Sequence, residues 1–271
     1  MITSPNSTVD VQLSGGVCTI TLNRPERLNA IDRDMATALA TVTAAARDDE
    51  TIRAVVVRGA GDHFMAGGDL AFFKTWLDDG TDRSHQRDRF EGFVREVHPT
   101  ILALREMGKP VIAGVQGAVA GFGISLMLAC DLVVAAEDAV FTLAYSLIGT
   151  SPDGSSTYML PRMVGLKRAL EIALLADRFG SAEAREWGLV NWAVPAAELD
   201  DTIAKLATRL AVGPTHAYRN TKALLNASFD RSLEEQLDAE AASFADCAVS
   251  EDFAEGIAAF LDKRATLFKG R

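Results

Sequence analysis

The sequence predicts an α/β core followed by a helical C-terminal region. Three observations lead there. Short apolar runs alternate with segments of helical period through the first half of the chain. Glycine-rich turns mark the passage from run to helix. From Gly154 onward helical segments dominate, broken at Gly165, Gly180, Gly188 and Gly213-Pro214. The expected division is an α/β core over residues 1–200 and a helical region over 201–271. A chain of 271 residues that is 48% hydrophobic can bury one large core.

The elements follow in order. Residues 9–13 and 17–22 alternate in polarity around Ser14-Gly15-Gly16, the pattern of a β-hairpin. Asp32 is placed to cap a helix running to about Arg47, with Met35, Leu39 and Val42 on one face. Residues 54–58 read as a short buried strand, 59–68 as a glycine-rich loop and 70–77 as a helix. The polar run 78–89 reads as a mobile surface segment. A helix is expected over 90–106, ended by Gly108-Lys109-Pro110, and a strand over 111–115. Gly121-Phe122-Gly123 then opens a helix to Cys130, with further strands at 132–135 and 140–143.

Composition narrows the function. The net charge is −10 and no basic stripe is visible, which argues against a nucleic-acid partner. The apolar stretch 111–119 is interrupted by Gly and Gln and is too short for a bilayer, so no membrane partner is expected. The first ten residues, MITSPNSTVD, carry neither the basic region nor the apolar run of a signal peptide. Cys18, Cys130 and Cys247 are far apart and form neither a metal spacing nor a disulfide framework. The expectation is a cytoplasmic protein without a metal. Arg24 with Arg27, and Lys263 with Arg264, are the local positive clusters available to an anion.

Two motifs carry chemistry. In His63-Phe64-Met65-Ala66-Gly67-Gly68-Asp69-Leu70, glycines before a helix leave backbone N–H groups free to face an anion. In Gly117-Ala118-Val119-Ala120-Gly121-Phe122-Gly123, the N–H of Phe122 falls at a helix start, where developing negative charge is stabilised. Taken singly, each also describes an ordinary strand-to-helix turn.

Taken together, HFMAGGDL at 63–70 and KPVIAGVQGAVAGFGISLMLACDLVVA at 109–135 resemble the double signature of the crotonase (enoyl-CoA hydratase/isomerase) superfamily. The resemblance continues through NRPERLNA at 23–30, LPRMVG at 160–165, AREWGLV at 184–190 and the tail 253–264. It implies a crotonase-like spiral of βαβ units in two sheets, with a helical C-terminal trimerisation region and trimers often paired into hexamers. It implies an acyl-CoA substrate, coenzyme A being part of the thioester rather than a separate cofactor. The two backbone donors that hold the thioester oxygen in the family match Gly68 and Phe122. Such donors lower an enolisation barrier by about 2.7–4 kcal/mol each. Arg27, Leu28, Phe64 and Ala66 match segments that hold the nucleotide, and Phe260 and Lys263 match tail residues that reach the CoA of a neighbouring subunit. His63 is a candidate for the adenine pocket or for a loop role, and Phe72, Phe73, Met127 and Leu143 are candidate pocket walls.

The sequence departs from the hydratases at two places. Where they carry one glutamate for water and one for the α-carbon, this chain has Ser125 and Tyr145. Serine has no useful basicity and a free tyrosine titrates near ~10. The paired carboxylates of hydration are therefore missing. Ser125 is expected at the substrate and Tyr145 among the catalytic groups. Asp153, in Thr150-Ser151-Pro152-Asp153-Gly154, stands in the loop that crosses the acyl pocket in the family, where several enoyl-CoA isomerases place a single acid/base carboxylate. The expected activity is enoyl-CoA isomerisation with Asp153 as proton shuttle. The alternatives are a hydratase-like enzyme, a 4-halobenzoyl-CoA dehalogenase-like enzyme with Asp153 as nucleophile and His98 as base, or a catalytically weak acyl-CoA-binding protein. As a plain structural residue, Asp153 would be part of a Pro-Asp-Gly turn.

Overall fold

A computed structural model describes residues 2–271. The hairpin forms as expected: β1 (Val9–Ser14) and β2 (Val17–Leu22) pair antiparallel around Gly15-Gly16. The remaining strands are β3 (Ala54–Gly59), β4 (Val111–Val115), β5 (Ala118–Ala120), β6 (Leu132–Ala136), β7 (Val140–Thr142), β8 (Phe179–Gly180) and β9 (Trp192–Val194). They build a six-stranded sheet in the order β1-β2-β3-β4-β6-β9 and a three-stranded sheet in the order β5-β7-β8. From β4 onward the chain passes between the two sheets, β4 to β5, β6 to β7 and β8 to β9. This alternation winds the core into a spiral of βαβ turns.

The central parallel strands β3, β4 and β6 are buried on both faces, as helix-covered parallel strands are. Strand alternation sends Val55, Val57, Val111, Ala113, Val115, Val133 and Ala135 into the main core. Their neighbours Val56, Ile112, Val134 and Ala136 point the other way, into a second core. The main core is covered by α1 (Arg33–Asp48) and α3 (Arg83–Glu106), which pack on each other. Asp32 caps α1 by accepting from Met35 N–H at 2.9 Å. The second core is closed by Leu199, Ile203 and Ala207. These lie one turn apart on α7 (Leu199–Ala211), which packs on β3, β4 and β6.

The polar run after α2 (Leu70–Asp78) corrects one expectation. Half of it is helix: α3 begins at Arg83, not near Phe90. Asp82 supplies the cap, accepting from Ser84 N–H at 2.9 Å and His85 N–H at 3.1 Å. That local signal outweighs the polar composition.

Interleaved with the strands are α4 (Phe122–Leu128) between β5 and β6, α5 (Ser156–Leu175) between β7 and β8, kinked at Gly165, and α6 (Ser181–Glu186) between β8 and β9. The tail is α8 (Thr215–Ala227), α9 (Leu233–Ala248) and α10 (Glu251–Asp262). Lys222 ties α8 to the core, its Nζ donating to Leu104 O at 2.8 Å and to Asp131 Oδ2 at 2.7 Å. By contrast, α9 has no buried residue. Phe229, Leu233, Phe244, Val249 and Phe260 are each at least 66% exposed, so a single chain leaves this apolar face uncovered.

Candidate active site

The loop from Phe64 to Asp69 is stitched on both sides. On one side Met65 N–H donates to Ala118 O at 3.1 Å and Ala120 N–H to Met65 O at 2.8 Å, joining the loop to β5. On the other, Ile31 N–H donates to Gly67 O at 2.8 Å and Asp69 N–H to Ile31 O at 2.9 Å. These bonds leave Gly68 N–H between them with no partner. Gly121 turns the chain out of β5 with φ 51°, and Phe122 N–H begins α4. Among the described residues neither Gly68 N–H nor Phe122 N–H donates to a backbone carbonyl. The two segments nearly touch: a Cβ on Gly67 would lie 3.6 Å from Phe122 N and 3.2 Å from Ala120 O, and Gly67 has φ 86°. Only glycine permits that approach.

Asp153 is half-buried in the turn before α5. Its Oδ1 accepts from Tyr145 Oη at 2.5 Å, and its carbonyl oxygen accepts from Ser125 Oγ at 2.9 Å and Ser156 Oγ at 3.0 Å. Burial pushes its carboxyl above the usual carboxylate range, while the Tyr145 hydroxyl and the charge of His98 pull partly back. Tyr145 is 7% exposed. Burial and the adjacent Asp153 hold its hydroxyl well above the ordinary phenol range, so it stays protonated and donates.

The other expected residues divide. Leu28 and Ala66 are brought together, Ala66 N–H donating to Leu28 O at 3.0 Å, with Arg27 exposed beside them. Phe64 is a correction: its ring is fully buried in the main core, so only its main chain can face a ligand. Ser125 is another: it is fully buried and its hydroxyl is spent on Asp153, so it cannot meet a substrate directly. Phe260 is 83% exposed on α10 and Lys263 caps the end of that helix with φ 54°. His63 takes the loop role, its Nδ1 accepting from Ala118 N–H at 3.0 Å. Of the candidate pocket walls, Phe73 lies beside the site, its ring against Gly68, whereas Met127 and Leu143 are in the core.

Two positioning residues escaped the sequence reading. Arg24, grouped there with Arg27 as an open positive cluster, is consumed by Asp69 at 2.9 Å and Asp32 at 3.0 Å. Asp69 in turn caps α2, accepting from Ala71 N–H and Phe72 N–H at 3.1 Å. Asn29 is fully buried and bonds Ala60 O, His63 O and Arg24 N–H. Together they hold the Gly67-Gly68 loop. The acidic pair was visible in sequence, but only the fold brings both carboxylates to one guanidinium.

The family model described as enoyl-CoA hydratase/isomerase matches residues 12–271. The 1,2-epoxyphenylacetyl-CoA isomerase of Escherichia coli K12 is 38% identical over 94% of this chain and 96% of its own length. A probable enoyl-CoA hydratase of Rhodobacter capsulatus is 37% identical over 97% and 98%. Among solved structures, one titled putative enoyl-CoA hydratase/isomerase from Mycobacterium abscessus superposes with a TM-score of 0.92. It is 36% identical and spans 97% of this chain and all of its own.

Proposed function

Because this chain belongs to the enoyl-CoA hydratase/isomerase family, we propose that it is an enoyl-CoA isomerase using Asp153 as its single proton shuttle. The observation that carries the reading is the half-buried Asp153 carboxyl, with non-acidic Ser125 and Tyr145 beside it. Oδ2 of Asp153 takes a proton from C2 of a 3-enoyl thioester. The electron pair moves into a dienolate with its charge on the thioester oxygen, where the N–H groups of Gly68 and Phe122 receive it. The same carboxyl returns the proton at C4, and the double bond moves from C3–C4 to C2–C3. No water is activated, so the second carboxylate of a hydratase is not needed. A carboxyl raised by burial suits a base that must also release its proton.

Arg27, Leu28 and the Ala66 main chain hold the nucleotide of the thioester in this reading. Phe260 and Lys263 reach it from a neighbouring subunit of a trimer or dimer of trimers. The support is the exposed apolar tail, including a hollow of ≈ 460 Å³ lined by Phe253, Ile257, Phe260 and Leu261. Dehalogenation is the second reading, favoured by His98, whose charge acts on the Asp153 carboxyl, and by a 32% identical relative named 4-chlorobenzoyl coenzyme A dehalogenase-2. It requires halide release from a 4-halobenzoyl thioester.

The deciding experiment is Asp153→Asn, which keeps the shape and removes the base. Turnover of a 3-enoyl-CoA should fall by roughly 10²–10⁴, with affinity for the CoA ester unchanged. Turnover near the parent rate would reduce Asp153 to a turn residue.

A further inference from the structure

We propose that Tyr145 and Ser125 are positioning residues that lock Asp153 with Oδ2 as its one reactive oxygen. This rests on Asp153 being the base. Two anchors point to it, one on the side chain and one on the main chain. The side chain is held at Oδ1 by Tyr145 Oη at 2.5 Å, and among the described residues no protein donor meets Oδ2. The main chain is held at the carbonyl by Ser125 Oγ, by Ser156 Oγ, and by Ser156 N–H at 3.2 Å.

Ser125 lies one helical turn after Phe122 on α4. One short helix therefore presents a main-chain donor at its start and fixes the peptide of the base one turn later. The packing is tight: a Cβ on Gly154 would lie 2.7 Å from the Phe122 ring and 2.8 Å from Ser125 Cβ. The distance from donor to base is thus set by buried contacts rather than by a free loop.

Tyr145 also acts electrostatically. Its hydroxyl bonds the ionised form of Asp153 and opposes the upward push of burial. The other charged group acting on Asp153 is His98, on α3. The two anchors therefore differ in signature. Removing Tyr145 Oη raises the pH at which Asp153 ionises. Removing Ser125 Oγ loosens its position without touching its charge.

The test uses full-length protein, a 3-enoyl-CoA and four variants. In Tyr145→Phe the acid limb of kcat/KM should move up by roughly one to two pH units, with KM at the plateau unchanged. In Ser125→Ala the limb should stay and kcat should fall by about 10- to 100-fold. His98→Gln removes a charge that holds the Asp153 carboxyl down, so an acid limb should remain and move up, which assigns the limb to Asp153 rather than to His98. Direct ¹³C NMR titration of the Asp153 carboxyl in parent and Tyr145→Phe reads the same shift without turnover, so a weakly active variant still decides. An unmoved limb and an unmoved NMR titration in Tyr145→Phe would overturn the inference. Asp153→Asn separates the two levels. If it retains parent turnover, the base itself is wrong; if it is inactive while Tyr145→Phe behaves as parent, only the positioning role is lost.

Discussion

Met65 and Val119 face each other across an isolated parallel bridge. Three residues beyond each lies a partnerless main-chain donor, Gly68 on one segment and Phe122 on the other. The bridge holds the two segments together just before each donor.

Gly68→Ala places a Cβ 2.5 Å from Cε2 and 2.7 Å from Cζ of Phe73. The Phe73 ring must turn aside or the Gly67-Gly68 loop must shift, and a loop shift moves the Gly68 N–H. Activity on a 3-enoyl-CoA should fall by about 10²–10³, the worth of one oxyanion donor. Adding Phe73→Leu opens space and should restore part of it. Full activity in the single variant, measured as kcat, would show that the ring turns aside and the loop keeps its place.

Crotonyl-CoA hydration should be very slow in the parent protein. Ser125 is buried against a carbonyl and Tyr145 is a locked donor, so neither activates water. Each missing acid or base of a hydratase is worth about 10²–10⁴. The enoyl-thioester absorbance should barely decay with purified protein. Rapid decay would mean that another group performs hydration.

Lys222→Met should destabilise the fold by about 3 kcal/mol at pH 7, the cost of leaving one partner of a buried pair alone. Lys222 and Asp131 are 11% and 20% exposed in their side chains and meet at 2.7 Å. Burial already raises the Asp131 carboxyl, and Lys222 pulls it partly back. Without Lys222 the carboxyl rises further above its unfolded value near ~3.9. A raised folded value means that stability is present at low pH and lost as pH climbs through it. The deficit against parent in urea titrations should therefore shrink toward pH 4. An equal deficit at both pH values would contradict the charge argument.

Light scattering at micromolar concentration should give a trimer or a dimer of trimers. The apolar exposure of Leu233, Phe244, Val249 and Phe260 on the tail helices is what such an assembly would cover. A monomer alone would overturn this and, with it, the reach of Phe260 and Lys263 to a neighbour's nucleotide.

Much of the fold was legible because its signals are local. Strand alternation at 54–58, the Asp32 cap and the glycine pairs at 67–68 and 121–123 act within a few residues of themselves. Asp82 was an equally local cap, overlooked behind a polar run that reads as loop. The family signature placed Gly68, Phe122 and Asp153 in one neighbourhood, and the absence of glutamate at positions 125 and 145 was plain from the chain alone.

The tertiary structure decided where the polar side chains spend their hydrogen bonds. Sequence put Ser125 at the substrate; packing turned its hydroxyl onto the Asp153 carbonyl, 28 residues away. It put Phe64 in a binding loop; packing drew the ring into the core. It left Arg24 as an open cation; the fold closed it against Asp32 and Asp69. Periodicity and caps depend on neighbours along the chain, so one sequence determines them. The partner of a buried donor depends on which distant segment arrives within 3 Å, and only the folded chain brings that segment there.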